Sequence, residues 1–183
     1  MLVAEEKKKN NIAEYVMYMY QIEDIVRAYK FDIEAIIAGF VQPQLPDASF
    51  TNQYRKWYSD IISQMKMQKI EKVGHLVSTQ DVLIEISYLH TTLLTIAKDS
   101  KYIAVFEATN KVIEEFKEKS NLKNKNEVEI AFHAMYMKLL LKLQKKEISA
   151  ETEEAFDAMR VMLAYLSQSY HKMKAGDLDF LKN

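Results

Sequence analysis

Four histidines are the residues of this sequence that could most readily bind a metal ion. His75, His90, His133 and His171 each fall on or near a different predicted helix, and a helical bundle can gather such ligands in its core. The spacing matches no helical metal motif, because no Glu-x-x-His, His-x-x-x-His or His-Glu-x-x-His sequence occurs. We therefore predict no metal site. We interpret His90 and His133 as buried polar side chains that hydrogen-bond to a carbonyl or to a tyrosine hydroxyl.

A cluster of charged and tyrosine side chains near the N-terminus is the second candidate for function. Apolar residues recur there at spacings of three and four, which is typical of one face of a helix. One interpretation is an exposed ion pair between Glu23 and Arg27, which stand four residues apart. The other is a groove at a partner surface, since tyrosine is favoured at interfaces. The candidate interaction residues are Glu14, Tyr18, Gln21, Glu23, Asp24 and Arg27.

Other reaction chemistries have no support in the sequence. The chain contains no cysteine, which excludes disulfides, thiolate metal ligands and cysteine nucleophiles. It also contains no Gly-x-Ser-x-Gly turn, no P-loop and no Gly-x-Gly-x-x-Gly. The acidic residues at positions 114–118 and 154–157 resemble the magnesium-binding carboxylates of all-helical nucleotide pyrophosphohydrolases, but lysines interleave with the first group as on a solvent-exposed face. We therefore assign no catalytic residue and no cofactor.

The distribution of glycine and proline indicates which elements position these residues. The chain has three Gly and two Pro in 183 residues, and neither residue occurs between Gly74 and Gly176. A stretch of that length without either, rich in Leu, Met, Glu and Lys, predicts helices joined by polar loops. We predict an all-α protein, a single-domain bundle of about six or seven helices that spans residues 1–183.

Local signals predict where these helices begin and end. The opening helix is expected to end near Lys30, and the helix that starts near Phe50 is expected to end at Gly74. The residues predicted to cap later helices are Asp32, Ser78 or Thr79, Asn126 and Ser149. In the C-terminal tail, the residues predicted to dock against the bundle or a second subunit are Leu178, Phe180 and Leu181.

The opening pattern also resembles a known family. It consists of Asn11-Ile12-Ala13-Glu14-Tyr15, followed by Met19-Tyr20-Gln21-Ile22-Glu23-Asp24. These residues are similar to the start of a bacterial family of small all-helical proteins of unknown function. Ile33, the Trp57-Tyr58 pair and the C-terminal helix extend the similarity over nearly the whole chain. The resemblance implies an all-helical fold and supplies no activity, cofactor or catalytic residue.

The composition favours a role in binding over catalysis. Ten Met and eleven Tyr are suited to adaptable contact surfaces, and the net charge of −1 offers no basic excess for nucleic acid. No apolar run reaches the about 18 residues of a membrane span, and the chain lacks cysteine and an apolar N-terminal core, so we expect a cytoplasmic protein without a membrane partner. We predict an intracellular interaction or regulatory protein that forms a homodimer. The alternative is a metal-dependent or small-ligand-binding enzyme with a site in the bundle core.

Overall fold

The computed structural model describes residues 3–177, and within them every regular element is a helix. Eight α-helices lie in this range: α1 Val3–Asn10, α2 Ile12–Ala28, α3 Ile33–Ile36, α4 Thr51–Met67, α5 Val77–Thr95, α6 Ser100–Lys119, α7 Glu127–Leu143 and α8 Ala150–Lys174. A π-helical turn, Ile37–Val41, and two 3₁₀ turns, Gln42–Gln44 and Ala48–Phe50, connect α3 to α4. The all-α prediction is confirmed, with one helix more than the upper number expected. The predicted tail contacts of Leu178, Phe180 and Leu181 lie outside the described residues.

The additional helix arises at Asn11, where the predicted opening helix divides in two. Asn11 has an extended backbone (φ −155°, ψ 99°), and its side chain accepts a hydrogen bond from the Glu14 N–H as the N-cap of α2. Asparagine favours helix starts over helix interiors because its side chain competes for backbone hydrogen bonds. Two α8 residues hold the junction: the Ser167 hydroxyl donates to the Asn11 side chain, and His171 Nε2 accepts from the Ile12 N–H.

The core lies between the apolar faces of α2, α5, α7 and α8. Helix α8 packs against α2, α5, α6 and α7, so it occupies the centre of the bundle. Buried apolar side chains from α1 to α8 form one connected cluster. On α2 the buried positions Tyr15, Met19, Ile22 and Val26 follow the spacing of three and four seen in the sequence. Among residues 3–177, no helix has the length and apolar character needed to cross a lipid bilayer.

Most of the predicted helix starts agree with the structure. Asp32, Asn126 and Ser149 each accept a hydrogen bond from an N–H group in the first turn of the helix that follows, which confirms these three caps. The predicted stop at Gly74 is wrong, because α4 already ends at Met67. The chain between α4 and α5 is therefore longer than expected, and it carries part of the candidate site.

The start of α5 also differs from the prediction. The helix begins at Val77, so Ser78 and Thr79 lie inside its first turn and do not cap it. The Val77 N–H instead donates to the side chain of Gln68, which lies in the α4–α5 loop (residues 68–76), at 2.9 Å. Free N–H groups at a helix start need such partners. A further partner for this helix start comes from α2.

Candidate functional site

A buried glutamate on α2 is the centre of the candidate site. Glu23 stands four residues after Met19 and three before Val26, so it lies on the core face of the helix and is 0% exposed. One carboxylate oxygen lies 2.6 Å from Nδ1 of His75, and the other accepts the Leu76 N–H at 3.0 Å. Burying a carboxylate is costly unless it is paired and hydrogen-bonded, and both conditions are met here. Glu23 thereby caps α5 at the end where the helix dipole favours negative charge.

Arg27 binds the same loop from the next turn of α2. Its guanidinium donates to the carbonyl oxygens of Ile70 and Gly74, and it forms an ion pair with Asp24 at 2.8 Å. Gly74 has φ +104°, a left-handed conformation that glycine adopts without steric cost. The α4–α5 loop is therefore fixed on α2 immediately before His75, and the position of that imidazole is set by α2.

The His75 ring is oriented by two contacts. Its imidazole stacks on the ring of Tyr20, with centroids 3.7 Å apart and an interplanar angle of 17°. Because a carboxylate oxygen is a hydrogen-bond acceptor, we assign the proton of this contact to His75 Nδ1, which leaves Nε2 at the wall of the pocket. A second imidazole, His133 of α7, lies 6.2 Å away between ring centroids.

His75 and His133 line an open pocket between α2, α5 and the start of α7, which we call the α2/α5/α7 pocket. Its volume is about 520 Å³, which falls within the range of about 300–1,000 Å³ typical of small-molecule sites. At its edge Lys125 and Glu129 form an ion pair at 2.7 Å, next to the N-cap of α7. The wall contributed by α5 consists of Gln80, Leu83, Ile84, Ser87, Tyr88 and Thr91.

Two side chains of the pocket, His133 and Tyr20, are uncharged at neutral pH. Burial lowers the pKa of His133, and the neighbouring His75 and Lys125 lower it further, so His133 is neutral at pH 7. Burial likewise raises the pKa of Tyr20, whose hydroxyl stays protonated. No group of three or more His, Cys, Asp or Glu side chains in the described part of the chain is arranged to hold a metal ion. The two imidazoles are thus hydrogen-bonding groups at the wall of the pocket.

Comparison with known proteins identifies the family. Residues 1–177 match the family described as Domain of unknown function (DUF4924). The chain belongs to this family. The predicted resemblance to a family of unknown function is thereby confirmed. Neither the curated proteins nor the solved structures contain a significant match to the chain. The description of the family names no activity, and a fold by itself does not define one.

The six candidate interaction residues do not form one surface in this member of the family. Glu23 is buried and Arg27 is turned toward the α4–α5 loop, as described above. Tyr18 stacks against Trp57 of α4, with ring centroids 6.4 Å apart. Asp24 also accepts a hydrogen bond from the Tyr136 hydroxyl at 2.5 Å.

The other two candidates, Glu14 and Gln21, do not line the pocket. Glu14 is exposed and pairs with Lys7 of α1 at 2.7 Å, while Gln21 is half-buried. The ion pair that the sequence placed between Glu23 and Arg27 is absent from the described contacts, because each of the two side chains has other partners. Most of the six candidate side chains of α2 therefore contact other helices or the α4–α5 loop of the same chain.

His90 and His133 lie in separate surroundings. His90 is 6% exposed, its Nδ1 lies 2.5 Å from the Tyr102 hydroxyl, and Phe106 packs against its ring. His133 lies instead beside His75 and Tyr20. His75 and His133 therefore share one pocket, whereas His90 belongs to the core contact between α5 and α6.

Sequence reasoning missed the role of His75. The only local signal was its position directly after Gly74, in a segment without helical periodicity. Its partner Glu23 is 52 residues away, and a charged residue on an amphipathic helix is usually exposed. The pairing follows from the packing of α2 against the start of α5, which no local pattern encodes.

Proposed function

We propose that this protein binds a small polar molecule in the α2/α5/α7 pocket and acts as a ligand-responsive regulatory protein. The observation that carries the proposal is the arrangement of His75. Glu23 fixes its Nδ1, Tyr20 fixes the plane of its ring, and the ring lines the pocket. A recognition or proton-transfer group needs such preorganisation by neighbours that are themselves held in place.

The pocket wall supports a particular ligand chemistry. Ile84 and Tyr88 are 66% and 68% exposed, and a planar or apolar part of a ligand can cover them. The amide, hydroxyl and imidazole groups of the remaining wall suit several hydrogen bonds. Because Lys125 is already paired with Glu129, a strongly charged ligand would find no free counter-ion there. The fitting ligand is uncharged or zwitterionic, with one planar part.

Titration of the full chain with uridine, nicotinamide and tryptophan, followed by two-dimensional amide NMR, tests this proposal. These probes are planar and uncharged or zwitterionic. We expect at least one of them to give saturable shifts at the backbone amides of Ser87, Tyr88, Thr91 and Asn126, which line the pocket. The shifts should be confined to the pocket, because the surrounding helices are packed into one core.

A matched pair of variants separates recognition from general destabilisation. His75→Gln removes the oriented imidazole and should abolish the shifts, whereas His171→Gln changes a histidine that does not line this pocket and should leave them intact. Equal binding by wild-type and H75Q protein would contradict the proposal. Shifts that appear only at residues outside the pocket would contradict it as well.

We propose self-association as an alternative function of the same face of α5, because a partner chain over Ile84 and Tyr88 would close the α2/α5/α7 pocket to a ligand. Val77, Ile84 and Tyr88 recur at spacings of seven and four, and all three are exposed apolar side chains. The net charge of −1 gives little repulsion between two copies. The tyrosine-rich helix α2 supports a homodimer less well, because Tyr15 and Tyr20 are buried.

Light scattering at high protein concentration tests the homodimer. The proposal expects twice the chain mass for the wild type and the single-chain mass for Ile84→Glu. Ile96→Glu is the matched control, because Ile96 is exposed directly after the end of α5, eight residues beyond Tyr88, and its substitution should leave the dimer intact. A wild-type protein with the mass of one chain would contradict this proposal. We also propose a cytoplasmic location, supported by the absence of cysteine and testable by cell fractionation.

A further inference from the structure

The two imidazoles of the α2/α5/α7 pocket have hydrogen-bonding capacity that the described chain leaves unused. A neutral His75 ring carries its one proton on Nδ1, which donates to Glu23, so Nε2 is a hydrogen-bond acceptor at the pocket wall. Within residues 3–177, no hydrogen bond reaches either ring nitrogen of His133. The proton of the neutral His133 ring can therefore occupy either nitrogen and be donated to a ligand. The pair thus offers one fixed acceptor and one donor.

Other polar groups of the pocket wall are already engaged within the chain. Lys125 pairs with Glu129 at 2.7 Å. The Thr91 hydroxyl donates to the Ser87 carbonyl oxygen at 3.2 Å, and the Ser87 hydroxyl donates to the Asn126 side chain at 3.4 Å. Selection of a ligand by hydrogen bonds therefore depends mainly on the two imidazoles.

Tyr20 lies against both imidazoles and brings them together on one wall. Its ring centroid lies 3.7 Å from that of His75 and 6.2 Å from that of His133. The two imidazole centroids are 6.2 Å apart, and the rings are tilted by 56°. Since a hydrogen bond spans about 2.9 Å, two imidazoles at this spacing can bind adjacent atoms of one ligand.

We propose that His75 and His133 recognise a planar cis-amide edge, which is the adjacent N–H and C=O of a lactam, an imide or a primary carboxamide. The ligand N–H donates to His75 Nε2, and the ligand carbonyl accepts from a ring N–H of His133. Such an edge fits because its N–H and C=O point to the same side, whereas an open-chain trans amide directs them to opposite sides. The edge is uncharged, in agreement with the pairing of Lys125. This recognition depends on the ligand-binding function proposed above and specifies which ligands the pocket selects.

Two matched pairs of probes test the recognition on the full chain. 3-Methyluridine lacks the imide N–H of uridine, and methyl nicotinate lacks the amide N–H of nicotinamide. In amide NMR titrations we expect uridine, nicotinamide or both to give saturable shifts at Ser87, Tyr88 and Asn126, which line the pocket. The counterpart of each bound amide should bind about 3–10-fold more weakly, as expected for the loss of one hydrogen bond.

The outcomes separate this recognition from ligand binding in general. Equal affinity of a bound amide and its counterpart would overturn the recognition of the amide edge, while the pocket would remain a ligand site. Saturable shifts with tryptophan alone, which has no cis-amide edge, would have the same meaning. Absence of shifts with all three probes of the proposed function would contradict both proposals.

Glu23→Gln tests whether the acceptor is His75 Nε2. The glutamine amide donates to Nδ1, so the imidazole proton moves to Nε2, which then faces the ligand N–H as a second donor. The variant should weaken the bound amide and bring its affinity close to that of its counterpart. Long-range ¹H–¹⁵N NMR verifies the position of the proton. An unchanged preference in E23Q protein that carries the proton on Nε2 would overturn the assignment to His75.

His133→Phe tests the donor. It keeps a planar ring and removes the N–H, so it should weaken an amide and its counterpart by a similar factor of about 3–10, because both retain the carbonyl. His171→Gln changes a histidine outside the pocket and should alter neither affinity. Wild-type affinities in H133F would overturn the assignment to His133.

Discussion

Replacing Glu23 by glutamine is the most informative perturbation of the candidate site. The side chain keeps its shape but loses its charge, and one of its two acceptor oxygens becomes an amide donor. In the wild type, one oxygen faces His75 Nδ1 at 2.6 Å and the other accepts the Leu76 N–H at 3.0 Å. Glutamine keeps an acceptor for the Leu76 N–H, but it offers His75 an amide donor, so that contact survives only in the tautomer with an unprotonated Nδ1. In E23Q the charged hydrogen bonds are lost and the proton of the imidazole moves from Nδ1 to Nε2.

The expected cost follows from these contacts. A hydrogen bond to a charged group contributes about 1.5–3 kcal/mol. The negative charge at the start of α5 contributes about 0.3–1 kcal/mol more. A neutral glutamine costs less to bury than a carboxylate, which offsets part of this loss. We therefore expect E23Q to lower the free energy of unfolding by about 2–3 kcal/mol. Glu23→Ala removes both hydrogen bonds and is expected to cost about 3–5 kcal/mol.

Urea unfolding followed by circular dichroism measures these differences. Glu14→Gln is the matched control, because this glutamate is exposed and pairs with Lys7 on the surface; its replacement should change the free energy of unfolding by less than about 1 kcal/mol. The double variant E23Q/H75Q should lose less than the sum of the two single variants. A loss below about 0.5 kcal/mol for E23Q, or full additivity with H75Q, would refute the role assigned to Glu23.

Three further predictions concern the supporting structure. Burial lowers the pKa of His90, His133 and His171, so near pH 6 the unfolded chain binds more protons than the folded one. The free energy of unfolding should therefore fall as the pH drops below about 6.5, which urea unfolding at pH 7 and 5.5 measures. His171→Gln should reduce this pH dependence. Tyr102→Phe leaves His90 Nδ1 without its buried partner and should cost about 1–3 kcal/mol of unfolding free energy in urea. Gly74→Ala forces a side chain into φ +104° and should cost about 1–3 kcal/mol in the same assay. A pH-independent stability, or wild-type stability in either variant, would contradict the corresponding statement.

Local features of the fold could be predicted from the sequence because their causes are local. Asp32, Asn126 and Ser149 cap helices through hydrogen bonds to N–H groups two or three residues ahead. The buried stripe of α2 follows the helical period. The division at Asn11 was missed, although asparagine is a strong N-cap residue, because the apolar pattern continues on both sides of it.

The candidate site could not be predicted because its contacts span the chain. Sequence spacing favoured a pair between Glu23 and Arg27, which is a common arrangement on exposed helices. In the structure Glu23 pairs with His75 instead. Arg27 pairs with Asp24 and donates hydrogen bonds to the α4–α5 loop. These choices follow from the burial of Glu23 against the start of α5. The spacing of Glu23 to Met19 and Val26 places it on the apolar side of α2, but its partner 52 residues away depends on tertiary packing.

The protonation of the two imidazole nitrogens of His75 tests most directly whether Glu23 orients this ring toward a ligand. Long-range ¹H–¹⁵N NMR distinguishes which ring nitrogen carries the proton and reports changes at the other. We predict a proton on Nδ1, donated to Glu23, and a change in the Nε2 signal when a polar ligand saturates the α2/α5/α7 pocket. A proton on Nε2 alone, or an Nε2 signal that stays constant while the pocket amides shift, would contradict the central claim that Glu23 orients His75 toward a ligand.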